Sequence, residues 1–172
     1  MAIEQYNHSM PTLIPMTQSE YEAFLERVIP EYAADNVRAG YWSEFEALEK
    51  SREAYEKLLP NGLQTENHYL YTLYDVNQAV GMIWIRADLE NPTKNGFIFE
   101  LYVDEKFRGK GYGKQVMLLI EEKARELGLK SLGLHVFAVN TVACNLYESV
   151  GYEVSSLNMT KKLWTKTESQ PE

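Results

Sequence analysis

Residues 108–113 read Arg-Gly-Lys-Gly-Tyr-Gly, so three glycines alternate with larger residues in one short segment. A strand-like apolar run ends before it at Val103, and an amphipathic run begins near Gly111. Because glycine has no Cβ and adopts positive φ readily, such a segment turns tightly and lets backbone amides converge at a helix N-terminus. The helix dipole also favours negative charge there. The pattern predicts a phosphate-binding turn between a strand and a helix.

The chain on either side of this turn predicts a βαβ unit. Gly96–Val103 is strand-like, an amphipathic helix follows as far as Gly128, and Lys130–Phe137 returns as a strand. A helical crossover of this kind joins parallel strands. Earlier in the chain, Tyr69–Asp75 and Gln78–Arg86 have the composition of an antiparallel hairpin. The predicted sheet is therefore mixed.

Further elements are predicted toward both ends of the chain. Two capping boxes, Thr17–Glu20 and Ser43–Glu46, predict two helices after a short edge strand at Thr12–Met16. Asn140 is suited to cap a helix after the βαβ unit. Tyr152–Leu163 then predicts a last strand or a hairpin pair.

Length and composition fit one folded domain spanning residues 1–172. Hydrophobic residues make up 45% of the chain, which supplies enough apolar surface to order it, and only the polar tail at 165–172 is expected to fray. The longest apolar run, Ala79–Ile85, is too short to cross a membrane. The N-terminus lacks the basic segment and apolar stretch of a secretion signal. We therefore expect a cytoplasmic protein with no membrane association.

The net charge and the small number of cysteines and histidines argue against nucleic acid and metal ions as partners. The net charge of −8 argues against nucleic acid as the main partner, since that binding uses Lys and Arg to neutralise phosphates. The single Cys144 cannot form an internal disulfide and is interpreted as a packing residue. The three histidines have no metal-ligand spacing, so no metal is expected.

Three kinds of phosphate-binding loop compete for the glycine segment. A Walker A loop needs Gly-x4-Gly-Lys-Ser/Thr, which is absent. The dinucleotide fingerprint needs a glycine where Lys114 stands, and the strand that ends at Phe137 lacks the acidic residue that would hold a ribose. What remains is Arg-x-x-Gly-x-Gly after a strand, which resembles the acyl-CoA pyrophosphate loop of the GNAT superfamily of N-acetyltransferases.

The resemblance extends to both sides of the loop. Glu100–Asp104 is similar to the family's fourth strand, and Asn140-x2-Ala143-x2-Leu146-Tyr147-x3-Gly151-Tyr152 resembles its second signature. The implied fold is an α/β (α+β) GNAT fold, with a mixed, twisted sheet of six or seven strands and helices on both faces. Dimers are common in the family, so the resemblance also allows a homodimer.

The resemblance implies acetyl-CoA as the co-substrate and assigns residues to it. Backbone groups of Leu101, Tyr102 and Val103 would pair with the pantetheine arm as an added strand does. Asn140 either contacts the cofactor or acts as a plain N-cap. The amides that would receive the pyrophosphate belong to Arg108, Gly109, Lys110, Gly111, Tyr112, Gly113 and Lys114.

Two residues are candidates for proton transfer by the same resemblance. Tyr147 would protonate the departing CoA thiolate, with packing on the sheet as the alternative role. Glu100 would serve as the base for the amine, directly or through a water, with a simply exposed carboxylate as the alternative and His135 as a second candidate base. Strict alternation would put Ile98, Glu100 and Tyr102 on one face of their strand, unless a bulge intervenes.

The implied function is transfer of an acetyl group from acetyl-CoA to a primary amine of a small molecule, peptide or protein. The attack is expected to be direct, with the thioester carbonyl polarised by a strand-bulge N–H near Tyr102. In this family the acceptor site is usually shaped by the first two helices, here Gln18–Leu59, and by a loop here around Ser155–Asn158. The alternatives are an acyl-CoA sensor without turnover, and a module whose basic loop binds phosphorylated or nucleic-acid partners.

Overall fold

The structure, a computed structural model, describes residues 10–161. One mixed sheet contains five strands that lie side by side in chain order, with the first four antiparallel to their neighbours and the last pair parallel. The predicted hairpin and βαβ unit are therefore confirmed. The strands are β1 (Thr12–Pro15), β2 (His68–Asp75), β3 (Gln78–Ala87), β4 (Asn95–Val103) and β5 (Ser131–Leu134).

Four α-helices accompany the sheet. Capping boxes at Thr17 and Ser43 begin the first two helices as predicted, and Pro30 stays inside the first without ending it. No helix within residues 10–161 combines the length and the apolar character needed to cross a membrane. The helices are α1 (Gln18–Arg38), α2 (Glu44–Leu58), α3 (Tyr112–Glu126) and α4 (Thr141–Ser149).

Two apolar layers sandwich the sheet and fix which helices cover each face. The first core joins α1 and α2 to one face through residues that include Phe24, Val28 and Trp84. The second core joins α3 to the other face, where Ile83 and Ile120 have no exposed surface. Burying a side chain of this size contributes about 1.5–3 kcal/mol. The sheet is therefore held from both sides, as a GNAT-like architecture requires.

The strand count differs from the expected six or seven. The predicted last strand at Tyr152–Leu163 is absent over the described residues 152–161, and residues 162–172, including the polar tail, lie outside the described part. The apolar side chains of Val154, Leu157 and Met159 are exposed and are not spaced in strict alternation. No buried face therefore holds this segment against the sheet.

β4 and β5 separate after a short stretch of pairing. They pair only through Asn95–Ile98 and Ser131–Leu134, so β5 is shorter than the predicted Lys130–Phe137. The remainder of β4, residues 99–103, pairs with β3 on one side only. We call its other side the open edge of β4. A split thus lies between β4 and the chain that follows β5.

A bulge lies in β4 where this split begins. Ile85 pairs with Ile98 and Trp84 pairs with Glu100, so Phe99 is an extra residue in the ladder. Phe99 packs in the first core, whereas Ile98 packs in the second. The expectation that Ile98 shares a face with Glu100 is therefore wrong, because the bulge breaks the alternation. It also lies three residues before the predicted position near Tyr102.

Candidate active site

The glycine loop, residues 108–114, joins the end of β4 to the start of α3. Gly109 and Gly111 have φ of +73° and +86°, and Gly111 is the N-cap of α3. A side chain in this left-handed region costs roughly 1–2 kcal/mol. At Gly113 the limit is space, because an added Cβ would lie 3.0 Å from Cδ2 of Leu146 on α4. The glycines therefore permit both the turn and the close approach of α4.

The backbone of the glycine loop is suited to receive an anion. Within the described part of the chain, the amides of residues 109–114 have no hydrogen-bond acceptor, and helical bonding starts with Gln115 N donating to Gly111 O at 3.2 Å. The side chains of Arg108, Lys110 and Lys114 around these amides are exposed. Six free donors, positive side chains and the positive end of a helix dipole all favour a phosphate at this place.

Side chains fix the position of the loop. Arg108 Nε donates to Val103 O at 2.9 Å, which ties the loop back to β4. At the first residue of α3, the Tyr112 hydroxyl donates to Asp75 on β2, and this bond raises the pKa of Tyr112. Asp75 was not predicted as a site residue, because its partner lies 37 residues away in the sequence.

The open edge of β4 offers backbone groups beside the loop. Asp104 N donates to Val80 O on β3, and Tyr102 O lies close to Gly81 on the same strand. Since successive residues of a strand direct their backbone groups to opposite edges, Leu101 and Val103 face the open edge. The Val103 carbonyl already accepts from Arg108. Leu101 therefore has the freer backbone groups of the three residues predicted to meet pantetheine.

Glu100 lies on the face of β4 that is covered by α1. Its side chain is 28% exposed, and its Oε1 accepts from Arg27 Nη1 and Nη2 on α1 at 3.4 and 3.5 Å. Burial raises the pKa of Glu100, and the Arg27 charge partly opposes that rise. Glu100 is thus neither simply exposed, as one alternative held, nor locked in a tight ion pair.

Arg27 is a site residue that the sequence did not reveal. Its guanidinium lies 3.9 Å from the centre of the Tyr102 ring and 2.8 Å from an oxygen of Glu31. One feature of the sequence could have indicated it: Arg27 lies between Phe24 and Val28 in the apolar stripe of α1. A cation at such a position needs a partner from the sheet.

Tyr147 on α4 packs against the second core, with its ring 6.0 Å from that of Tyr152. Burial raises the pKa of Tyr147, and the negative charge of Glu100 adds to that rise, as does Cys144. Within residues 10–161, the Tyr147 hydroxyl has no hydrogen-bond partner.

The remaining candidates make local contacts. Asn140 Oδ1 accepts from Ala143 N at 3.1 Å, as expected for the plain N-cap of α4. His135 is exposed and makes an edge contact with Phe137 at 5.1 Å. Cys144 is half-buried beside Phe137. Residues 155–158, the predicted acceptor loop, are exposed.

Two clefts border α1. The larger, of about 450 Å³, lies between α1 and α2 and is distant from the glycine loop. The smaller, of about 250 Å³, is lined by Arg27, Tyr102 and Asp104 at the C-terminal end of β4, and also by Thr72. The Thr72 hydroxyl is buried there without a hydrogen-bond partner within the described residues. The smaller cleft is lined by Arg27, which contacts Glu100, so we regard this cleft as part of the candidate active site.

Similarity to known proteins agrees with this arrangement. The model of the acetyltransferase (GNAT) family matches residues 34–152. The chain is 41% identical to the uncharacterized N-acetyltransferase YdgE of Bacillus subtilis over 153 residues, covering 88% of this chain and 98% of the relative. It is 38% identical to the uncharacterized N-acetyltransferase YycN of the same organism over 152 residues, covering 88% and 97%.

A solved structure supports the same relationship. The crystal structure of the putative acetyltransferase YycN from Bacillus subtilis has a TM-score of 0.84 and 37% sequence identity, over 90% of this chain and 99% of that one. The chain belongs to the GNAT family of acetyltransferases and is an acyltransferase.

Proposed function

We propose that the protein transfers an acetyl group from acetyl-CoA to a primary amine of a small molecule, peptide or protein. The observation that carries this proposal is a loop whose amides at residues 109–114 have no acceptor within residues 10–161 and which joins β4, the strand of Glu100, to a helix start packed against α4, the helix of Tyr147. A carboxylate and a phenol can remove a proton from one group and supply one to another.

The donor side fits acetyl-CoA. The free amides of residues 109–114 and the positive charges of Arg108, Lys110 and Lys114 suit a pyrophosphate, and Leu101 offers backbone groups to an extended amide-bearing chain. Acetyl-CoA supplies an activated acetyl thioester. The protein's part on this side is to bind and orient.

Glu100 is proposed as the base that deprotonates the amine, directly or through a water. An alkylamine has a pKa near 10 and is mostly protonated at neutral pH, so it cannot attack until a proton is removed. The raised pKa of Glu100 makes this carboxylate a stronger base than an exposed one, while the Arg27 charge favours its ionised form.

Tyr147 is proposed as the acid that protonates the leaving thiolate. Its raised pKa keeps the phenol protonated across the neutral range, so the donor form is always present. A thiol has a pKa of about 8.5, below that of a phenol, so transfer from Tyr147 to the thiolate is uphill by itself and is completed when the tyrosinate takes a proton back from solvent. Within residues 10–161 the Tyr147 hydroxyl makes no hydrogen bond, which leaves it available for this contact.

The acceptor is proposed to enter from the α1 side. The cleft of about 250 Å³ next to Arg27 contains Glu20 and Asp104, whose carboxylates suit an amine. We further propose that residues 1–172 act as one cytoplasmic domain, and that light scattering will decide between a monomer and a homodimer.

Calorimetry and a substrate panel test this function. The intact protein should bind CoA, and should release free CoA from acetyl-CoA with at least one amine among spermidine, lysine, kanamycin and a peptide with a free N-terminus. Binding of CoA without turnover on a broad amine panel would favour the sensor instead. A protein that does not bind CoA would refute the proposal.

A further inference from the structure

We propose that Arg27 is a positioning residue that holds the Glu100 carboxylate ready to accept a proton from the acceptor amine. The proposal rests on the proposed function, because it gives Glu100 the role of base. It concerns a residue on α1, 73 positions away from Glu100 in the sequence, that lies in none of the motifs considered above.

Two contacts and partial burial hold the Arg27 guanidinium in place. Glu31, one turn further along α1, accepts from Nη1 at 2.8 Å. The Tyr102 ring lies under the guanidinium at 3.9 Å, an arrangement that suits the planar group of arginine better than the ammonium of lysine. The Arg27 side chain is only 21% exposed. The guanidinium is therefore fixed before it meets Glu100.

The contacts between Arg27 and Glu100 use one carboxylate oxygen. Both guanidinium nitrogens approach Oε1, at 3.4 and 3.5 Å, and within the described residues Oε2 has no hydrogen bond. These distances are longer than those of a strong bidentate pair, which are about 2.7–2.9 Å. Arg27 thus orients Glu100 through one oxygen and leaves the other free to take a proton.

The same contact sets the charge state of the base. Glu100 is partly buried, and burial alone would favour the protonated form, which cannot act as a base. Arg27 provides the opposing positive charge, while the negative charges of Glu31 and Asp35 work against it. Trp84, opposite Glu100 on β3, does not titrate. The titratable groups coupled to the charge of Glu100 are Arg27, Glu31 and Asp35 on α1, Tyr55 on α2 and Tyr147 on α4.

Titration of the free protein by carbon NMR tests this role without an acceptor. With glutamate labelled at Cδ, the Glu100 signal is the one missing from the Glu100→Gln variant. Arg27→Gln should raise the titration midpoint of Glu100 by roughly one pH unit or more. Arg27→Lys should raise it less, and Glu31→Gln should lower it slightly, since Glu31 is 57% exposed and solvent screens its charge.

The pH dependence of kcat/KM distinguishes the positioning role of Arg27 from a simple loss of its packing. With acetyl-CoA and the best amine of the panel, the acid limb of kcat/KM should move to higher pH in Arg27→Gln, by the same interval as the NMR midpoint. At high pH the rate should recover most of its wild-type value. The KM for acetyl-CoA should change less than kcat, because Tyr112 packs the glycine loop against the second core, whereas Arg27 lies beside the first core and shares the Tyr102 ring with Arg108 of the loop.

The matched control is Arg125→Gln on α3. Arg125 also pairs with a glutamate one turn away, Glu121 at 3.2 Å, but it is distant from Glu100. This variant should leave the Glu100 midpoint where it is in the wild type. An unchanged midpoint in both Arg27 variants would overturn the positioning role, and if Arg27→Gln does not fold, Arg27→Lys and Glu31→Gln decide the matter. Failure to bind CoA would overturn the proposed function instead and leave this titration valid.

Discussion

The proposed donor side and the proposed acid–base side of the candidate site are built in different ways. The donor side, the glycine loop, consists of consecutive residues and uses backbone amides that glycines leave accessible. The acid–base side is assembled from Arg27, Glu100 and Tyr147, which belong to three elements far apart in the chain. Substitutions of Glu100 or Tyr147 should therefore abolish acetyl transfer but leave the affinity for CoA unchanged. Substitutions that alter the backbone of the glycine loop should weaken CoA binding but leave proton transfer intact.

The largest expected effect is on the acid–base side. Replacing Glu100 with Gln should lower kcat/KM roughly 10³-fold, because the amide cannot take a proton from the amine. Calorimetry should show unchanged affinity for CoA. Glu122→Gln, on the exposed face of α3, is the matched control and should retain full activity. A variant at Glu100 with wild-type turnover would remove this residue from the mechanism.

The next effect concerns the acid. Replacing Tyr147 with Phe should lower kcat roughly 10²-fold, since the ring still packs but no proton is supplied to the thiolate. The KM for acetyl-CoA should rise by less than kcat falls, which steady-state kinetics can resolve. Tyr152→Phe is a suitable control, because it removes a neighbouring hydroxyl 6.0 Å away by ring centres. Unchanged turnover in Tyr147→Phe would exclude the acid role.

A smaller effect is expected on the donor side. Gly111→Ala forces a side chain into φ of +86° at the N-cap of α3, so the loop must shift and CoA affinity should fall about tenfold. Gly128→Ala is a close control, because Gly128 has φ of +81° and equally open surroundings but lies at the other end of α3. Both variants should lose similar stability. If both also lost CoA affinity equally, the loop would not be the binding site.

The smallest effect is a gain in stability at the acid–base side. The pKa of Glu100 is higher in the folded protein than its ordinary value, so folding favours the protonated form. That contribution is complete below the unfolded pKa and is lost as the pH rises through the folded pKa. Glu100→Gln should therefore melt slightly above the wild type at neutral pH and close to it in acid. A lower melting temperature at neutral pH would show that Arg27 outweighs burial.

The same contrast explains what the sequence could reveal. The glycine turn before α3 and the caps of α1, α2 and α4 are local patterns, so the turn and the starts of these helices were predicted correctly. The pairing of Arg27 with Glu100 depends on how α1 crosses the sheet, which no short motif encodes.

Two errors have similar causes. Phenylalanine is favoured in strands, so the residue type at position 99 could not show whether Phe99 pairs regularly or forms a bulge. The strand expected from Tyr152 had suitable residue types, but its apolar side chains find no face to cover over the described residues. In both cases long-range packing decided the outcome.

The bulge at Phe99 also determines how the split comes to be open. A bulge bends its strand and increases the local twist, and this one follows directly after Ile98, the last residue of β4 that pairs with β5. One additional residue thus diverts β4 from its neighbour while keeping Glu100 on the side of α1. The split therefore begins at a place that the backbone of β4 itself sets. Association with CoA should accordingly follow simple one-step kinetics, with no slow separation of strands before binding.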